Sequence, residues 1–159
     1  MNVEIRHGIL SDMNEFLRLY NKVHPNTDLK KAVPYFEEKV KNKEIFVILC
    51  DKDYAGHACF LGYRLPNKKV AMSQTIAIKE KYRGKGIGKR IIKRCLLYAY
   101  KNDVEEILFE VDSKNKPSLK LHLSVPKIRV IGSHKKGEIR EILFFLNLNK
   151  INRKDIELW

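Results

Sequence analysis

Thr75-Ile76-Ala77-Ile78-Lys79-Glu80-Lys81-Tyr82-Arg83-Gly84-Lys85-Gly86-Ile87-Gly88 is the stretch on which the reading of this chain turns. An apolar, strand-like run leads into three glycines at alternate positions, and a helix-like run follows. A strand feeding a glycine-rich turn into a helix N-terminus builds an anion cradle. First-turn N–H groups lack intrahelical acceptors, the positive end of the helix dipole points the same way, and glycine lets phosphate oxygens approach the backbone. A lone glycine usually serves a tight turn and nothing more. Three alternating glycines ringed by cations point beyond that, to a phosphate-bearing ligand.

Two nucleotide motifs are excluded. A Walker A loop ends in Gly-Lys-Ser/Thr, which nothing from Gly84 onward supplies; in Gly132-Ser133-His134-Lys135-Lys136-Gly137-Glu138, Glu138 stands where lysine is required. A dinucleotide fingerprint counted from Gly86 would need glycine at Ile91. What remains is Arg-x-x-Gly-x-Gly, carried by Arg83, Gly86 and Gly88.

Charge follows the same turn. The formal net charge is +13, and residues 79–94 hold eight Lys or Arg with Glu80 as the one acid. A charge concentrated in this way suits a polyanionic small molecule. Nucleic acid is the weaker expectation, because aromatic residues are not interleaved with the basic ones. A solvated helix face accounts for part of the charge.

At 159 residues, without repeats, low-complexity tracts or linkers, the chain reads as a single domain, 1–159. No apolar run approaches membrane-span length, and Glu4, Arg6 and His7 stand where a signal peptide would be apolar. Cys50, Cys59 and Cys95 show no metal spacing and read as buried free thiols, which with the above gives a cytoplasmic expectation and no metal.

Outward from the turn, the pattern gives an α+β (mixed α/β) order, βααβββαβαββ. A first strand at Val3–Arg6 is followed by Ser11 or Asp12 as N-cap, and the helix after it places Met13, Phe16, Leu17 and Tyr20 on one face. A second helical segment runs from Leu29 to Val40, with Pro34 as a splitting point. Strands follow at Ile45–Cys50, Tyr54–Tyr63 and, after a turn at Pro66-Asn67, Val70–Ile78. The helix after the glycines, Gly86–Lys101, turns Gly88, Ile91, Ile92, Cys95, Leu96 and Ala99 inward. Then come a strand at Ile107–Val111, a helix at Lys116–Val125, and a closing strand pair at Lys127–Ile131 and Glu138–Leu146. The edge expected at Ile142–Leu148 and the terminal Trp159 offer a surface for a second copy in a homodimer, with packing on their own domain as the equal alternative.

The Arg83/Gly86/Gly88 motif and its flanks resemble the GNAT N-acetyltransferase superfamily, whose members carry such a stretch at the acetyl-CoA pyrophosphate. The likeness extends to Phe109-Glu110-Val111-Asp112-Ser113-Lys114-Asn115-Lys116-Pro117-Ser118, which matches a strand, then Asn, then a helix, and to the element order over nearly the whole chain. The resemblance implies a GNAT-like fold, a central twisted mixed β-sheet flanked by helices. It implies acetyl-CoA as cosubstrate and an amine acceptor, either a small molecule or a protein amine.

It also implies roles. Main-chain amides over Gly84, Lys85, Gly86, Ile87, Gly88 and Lys89, beside Arg83, hold the pyrophosphate. Ile76 and Ile78 pair with the pantetheine arm, and Asn115 and Ser118 lie in the cofactor-side pattern. The amide of Ile78 polarises the thioester carbonyl. Attack by the amine is direct, with no cysteine placed as a nucleophile.

The family's Tyr, seven residues after the Asn, is here His122, preceded by Leu121, and the following Gly-Phe is replaced by Val125-Pro126. An imidazolium is a competent acid toward a leaving thiolate. The alternative is a partly exposed helix residue, with solvent as the acid. For the base, Glu110 is the first candidate and strand residue His57 the second; ordinary strand residues with no chemistry are the alternative for both. His24 lies where such proteins shape acceptor choice, with an ordinary surface residue as the favoured alternative, and Glu37 and Glu38 stand near the acceptor side that the resemblance implies. The rival function class is a CoA-binding module without turnover, followed by a basic nucleic-acid-binding domain.

Overall fold

Alternation of apolar and polar residues makes strands, and apolar residues three and four apart make helices. Both patterns are realised in the computed structural model. It describes residues 1–65 and 68–159, the side chains of residues 61–65, 68 and 74 excepted; the turn expected at Pro66-Asn67 lies outside the described residues. The elements are β1 (Val3–His7), α1 (Met13–Val23), α2 (Leu29–Lys41), β2 (Ile45–Cys50), β3 (Asp53–Leu65), β4 (Lys68–Ile78), α3 (Ile87–Lys101), β5 (Glu106–Asp112), α4 (Lys116–Leu123), β6 (Arg129–Lys136), β7 (Ile139–Asn147) and α5 (Arg153–Leu158).

The strands hydrogen-bond in the order β1-β2-β3-β4-β5-β7-β6. The β4–β5 pair is parallel, and β1–β2, β2–β3, β5–β7 and β6–β7 are antiparallel, so the sheet is mixed. The chain divides into two compact units, Met1–Leu61 with Thr75–Ile91 and Gly62–Gln74 with Ile92–Trp159.

In the first unit α1 and α2 lay their apolar stripes on β2 and β3. Met13, Phe16, Ala32, Phe36 and Val40 form one buried cluster with Ile45, Val47 and Cys59. Phe16 meets Phe36 edge-on with ring centroids 4.6 Å apart, and truncating either ring would cost about 3–5 kcal/mol. Helix α2 runs unbroken through Pro34. Burial of Ala32, Phe36 and Val40, spaced a turn apart, outweighs the one backbone hydrogen bond that proline forgoes.

Asp12 takes the N-cap position of α1, as expected, but its side chain caps no amide of that helix. Its carboxylate instead takes both Arg6 nitrogens, at 2.7 and 2.9 Å, and the Ile9 amide at 2.8 Å. That charged fork pins β1 to the turn before α1.

In the second unit β5 buries Ile107, Phe109 and Val111 at every other residue, and β7 contributes Phe144 and Leu146. The edge expected at Ile142–Leu148 is not an edge. β7 is paired on both sides, by β5 and β6, and β6, exposed along its whole length, takes the outer position. Helix α5 was not expected. It is started by a reciprocal box in which Asn152 accepts from the Asp155 amide at 2.8 Å and Asp155 accepts from the Asn152 amide, and is anchored by buried Ile156. All three cysteines are buried, and none is in a disulfide. Among the described residues no helix is long and apolar enough to cross a membrane.

Candidate functional site

Strand β4 runs to Ile78, and its end is held by two close contacts with β3. The Lys79 amide donates to the Ala55 carbonyl at 2.8 Å. Next to it, a Cβ on Gly56 would stand 2.3 Å from the Ala77 carbonyl oxygen, so only glycine lets the two strands approach this far. Since Lys79 N–H points to β3, the alternation of backbone groups turns the Ile78 N–H and C=O to the opposite edge. On that edge the described β4–β5 pairing runs from Val70↔Glu106 to Ser73↔Phe109.

A 3-10 turn at Glu80–Tyr82 and extended Arg83 lead to Gly84 and Gly86, with φ of 72° and 74°. Both lie in the left-handed region that side chains resist. A Cβ at either would meet nothing within 4 Å, so backbone conformation alone calls for glycine there. Ile87 is buried and anchors the first turn of α3, while residues 83–86 are exposed. The first intrahelical bond runs from the Arg90 amide to the Gly86 carbonyl at 3.2 Å. The helix N-terminus and its dipole are thereby turned to a glycine turn rich in cations. Arg83 reaches back, its Nε donating to the Ile78 carbonyl at 2.9 Å.

Glu110, Asn115, Ser118 and His122 belong to the second unit. Asn115 caps α4, its side-chain oxygen accepting from the Ser118 amide at 3.2 Å. His122 is buried, 5% exposed, between the rings of Phe109 and Phe144, with centroids 5.1 and 5.7 Å away. It is therefore not the partly exposed residue its place in the helix suggests. Its Nδ1 lies 2.8 Å from the Ser118 carbonyl. A carbonyl only accepts, so Nδ1 carries the proton and Nε2 is the bare nitrogen of the neutral ring. Burial pushes its pKa below the ordinary value.

Glu110 pairs across the strands with Leu143, which puts Glu141, two residues earlier on β7, on the same face. Acceptor atoms of Glu110, His134 and Glu141 lie within 4.8 Å of one another, and His134 Nε2 is 3.0 Å from Glu141. Two carboxylates with an imidazole are a donor set of the kind that could hold a cation. His134 and Glu141 were not singled out in the sequence, because their meeting depends on a bulged β6–β7 register.

His57 is fully buried, its ring 4.1 Å from that of Phe16 and its Nδ1 2.8 Å from the Tyr54 hydroxyl. Burial pushes its pKa down to about 3. It is a neutral core histidine with Nε2 lacking a partner among the described residues, and is remote from water for a base.

Residues 13–124 match the model of the acetyltransferase (GNAT) family. The chain is 29% identical over 84 residues to N-alpha-acetyltransferase 30 of Xenopus laevis, a match covering 53% of the chain and 27% of that protein. It thus spans about a quarter of that relative's length. Against a SPbeta prophage-derived uncharacterized N-acetyltransferase of Bacillus subtilis (strain 168), it is 25% identical over 132 residues, covering 82% of the chain and 71% of the relative. Among solved structures, a Salmonella typhimurium protein with its cofactor acetyl-CoA superposes with a TM-score of 0.78 at 18% identity, covering 96% of this chain and 97% of that one. An N-acetyltransferase from Staphylococcus aureus Mu50 gives 0.73 at 24% identity, covering 93% and 99%. At these identities the structural likeness is one of fold.

Proposed function

The chain belongs to the acetyltransferase (GNAT) family, and from that premise we propose that it transfers an acetyl group from acetyl-CoA to a primary amine by direct attack in a ternary complex. The observation that carries this reading is the turn from Ile78 to Gly88. Left-handed glycines at 84 and 86 open onto the N-terminus of α3, and Arg83 holds the turn to the end of β4.

In this reading the amides of residues 84–89 take the CoA pyrophosphate, and the β4 edge at Ile76 and Ile78 takes the pantetheine arm as an added strand. Asn115 and Ser118 serve the cofactor through the N-terminal turn of α4. The Ile78 N–H, facing away from β3, donates to the thioester oxygen and meets the charge that develops there.

The C–N bond forms as the C–S bond breaks, and the electron pair goes to the CoA sulfur. Glu110, with Glu141 and His134 beside it, receives the proton of the acceptor ammonium. As acid toward the thiolate, His122 would need its imidazolium, which burial between two phenylalanines opposes. We assign that proton to water, and to His122 the packing of α4 against β5 and β7.

The same burial favours a second reading, a CoA-binding module without turnover. Release of free thiol from acetyl-CoA across a panel of primary amines separates the two. Amine-dependent release that falls by about 10²-fold or more in Glu110→Gln supports the transferase. CoA binding with no amine-dependent release supports the module.

A further inference from the structure

The first unit contains a cavity of ≈ 760 Å³ between α1 and the segment joining β4 to α3. One wall presents Arg18 and Lys22, a turn apart, with Leu19 and Val23 beside them. The other presents Lys79, Lys81 and Arg83, with Glu80 as its one acid. Glu15 spans the two walls, 2.6 Å from Lys79 Nζ and 2.9 Å from the Arg18 guanidinium. The hydrogen bond from Lys79, and then that from Arg18, hold its carboxyl below the ordinary value. Lys81 lies 3.6 Å from Asp53. With both of these acids counted, the recess still carries more cations than anions. A partly apolar recess with excess positive charge fits an organic molecule that bears an anionic group.

Of these cations the cofactor reading draws on Arg83 alone, through its bond to the Ile78 carbonyl. Lys85, Lys89, Arg90, Lys93 and Arg94, on the glycine turn and α3, stand outside the cavity lining. The basic stretch around the glycines is therefore two groups of charges, and the second is completed by α1. We infer that this cavity receives an anionic group carried by the acceptor, so that the preferred substrate is a small primary amine bearing a carboxylate or phosphate. Leu19 and Val23 would cover the carbon chain between the two groups. The inference rests on acetyl transfer to an amine as proposed above.

The test uses matched amines: glutamate against glutamine, and O-phosphoethanolamine against ethanolamine. The expected result is a kcat/KM about tenfold or more higher for the anionic member of each pair. In Arg18→Ala/Lys22→Ala that ratio falls toward unity, while the affinity for CoA changes by less than about twofold. Equal rates within each pair would overturn the inference and leave acetyl transfer standing. A double variant that loses CoA affinity instead would also overturn it, since the cavity would then serve the cofactor.

If no amine is acetylated, the proposed function fails, and calorimetric titration of O-phosphoethanolamine into the CoA-loaded protein still decides the cavity. Binding abolished in the double variant supports the anion site, and absence of binding to the unaltered protein overturns it.

Discussion

Arg83 Nε donates to the Ile78 carbonyl at 2.9 Å, so the first residue of the glycine motif is fastened to the last residue of the strand before it. A charge-assisted bond to a carbonyl is worth about 1.5–3 kcal/mol when intact and less at an exposed site. Arg83→Ala should therefore raise the Kd for CoA by about tenfold. Arg83→Lys should not restore it, because lysine has no Nε at that distance along the side chain. Calorimetric titration with CoA reads both variants. An unchanged Kd in Arg83→Ala would remove the anchor from the account.

Gly56 tests the other fastening of the same strand end. A Cβ there would overlap the Ala77 carbonyl, so Gly56→Ala must push β4 and β3 apart. The expected cost is about 1–3 kcal/mol in urea unfolding, with weakened CoA binding, since the displaced residues lead into the turn. Gly132→Ala, where a Cβ would meet nothing within 4 Å, is the control and should change stability by less than about 0.5 kcal/mol.

His57 gives a pH dependence of defined sign. Its folded pKa is pushed by burial to about 3 from an ordinary 6.5, so below that ordinary value the unfolded chain takes up a proton that the folded chain refuses. Its contribution is full above pH 6.5 and is lost as the pH falls toward about 3. At pH 5 this one group should have cost about 2 kcal/mol relative to pH 7. His122 acts in the same direction. Urea unfolding of His57→Leu at the two pH values should show a drop smaller by about that amount. An identical drop in both proteins would mean that His57 titrates normally in the fold.

His122→Phe should keep kcat with acetyl-CoA to within about threefold, because the neutral buried ring has no proton to give from Nε2. A loss of about 10²-fold in kcat with CoA affinity retained would return His122 to the role of acid.

The fold was largely legible because its signals are local. The alternation in β5, the apolar stripe of α3 and the glycine turn all lie within a few residues. Failures came where distant residues decide. Nothing local to Ile142–Leu148 tells that β6 folds back to cover β7, and nothing near Pro34 tells that Phe36 and Val40 are held firmly enough to carry a helix through it. The glycine turn proposed for the cofactor is one continuous stretch, and its left-handed glycines follow from local sequence. The groups proposed for the acceptor, taken unit by unit, come from separated strands and helices. Glu110 meets Glu141 and His134 only through register, and Arg18 and Lys22 join Lys79 and Lys81 only through the packing of α1. Asn152 and Asp155 are the exception: a local capping signal for α5 that was overlooked.

The central claim is that the turn from Ile78 to Gly88 holds a CoA thioester for attack by an amine. Its most direct test is the initial rate of free CoA release from acetyl-CoA with and without primary amine, at saturating cofactor, in the unaltered protein and in Glu110→Gln. The account predicts amine-dependent release with matching N-acetylated product, reduced by about 10²-fold or more in the variant. Tight CoA binding with no amine-dependent release in the unaltered protein would contradict it.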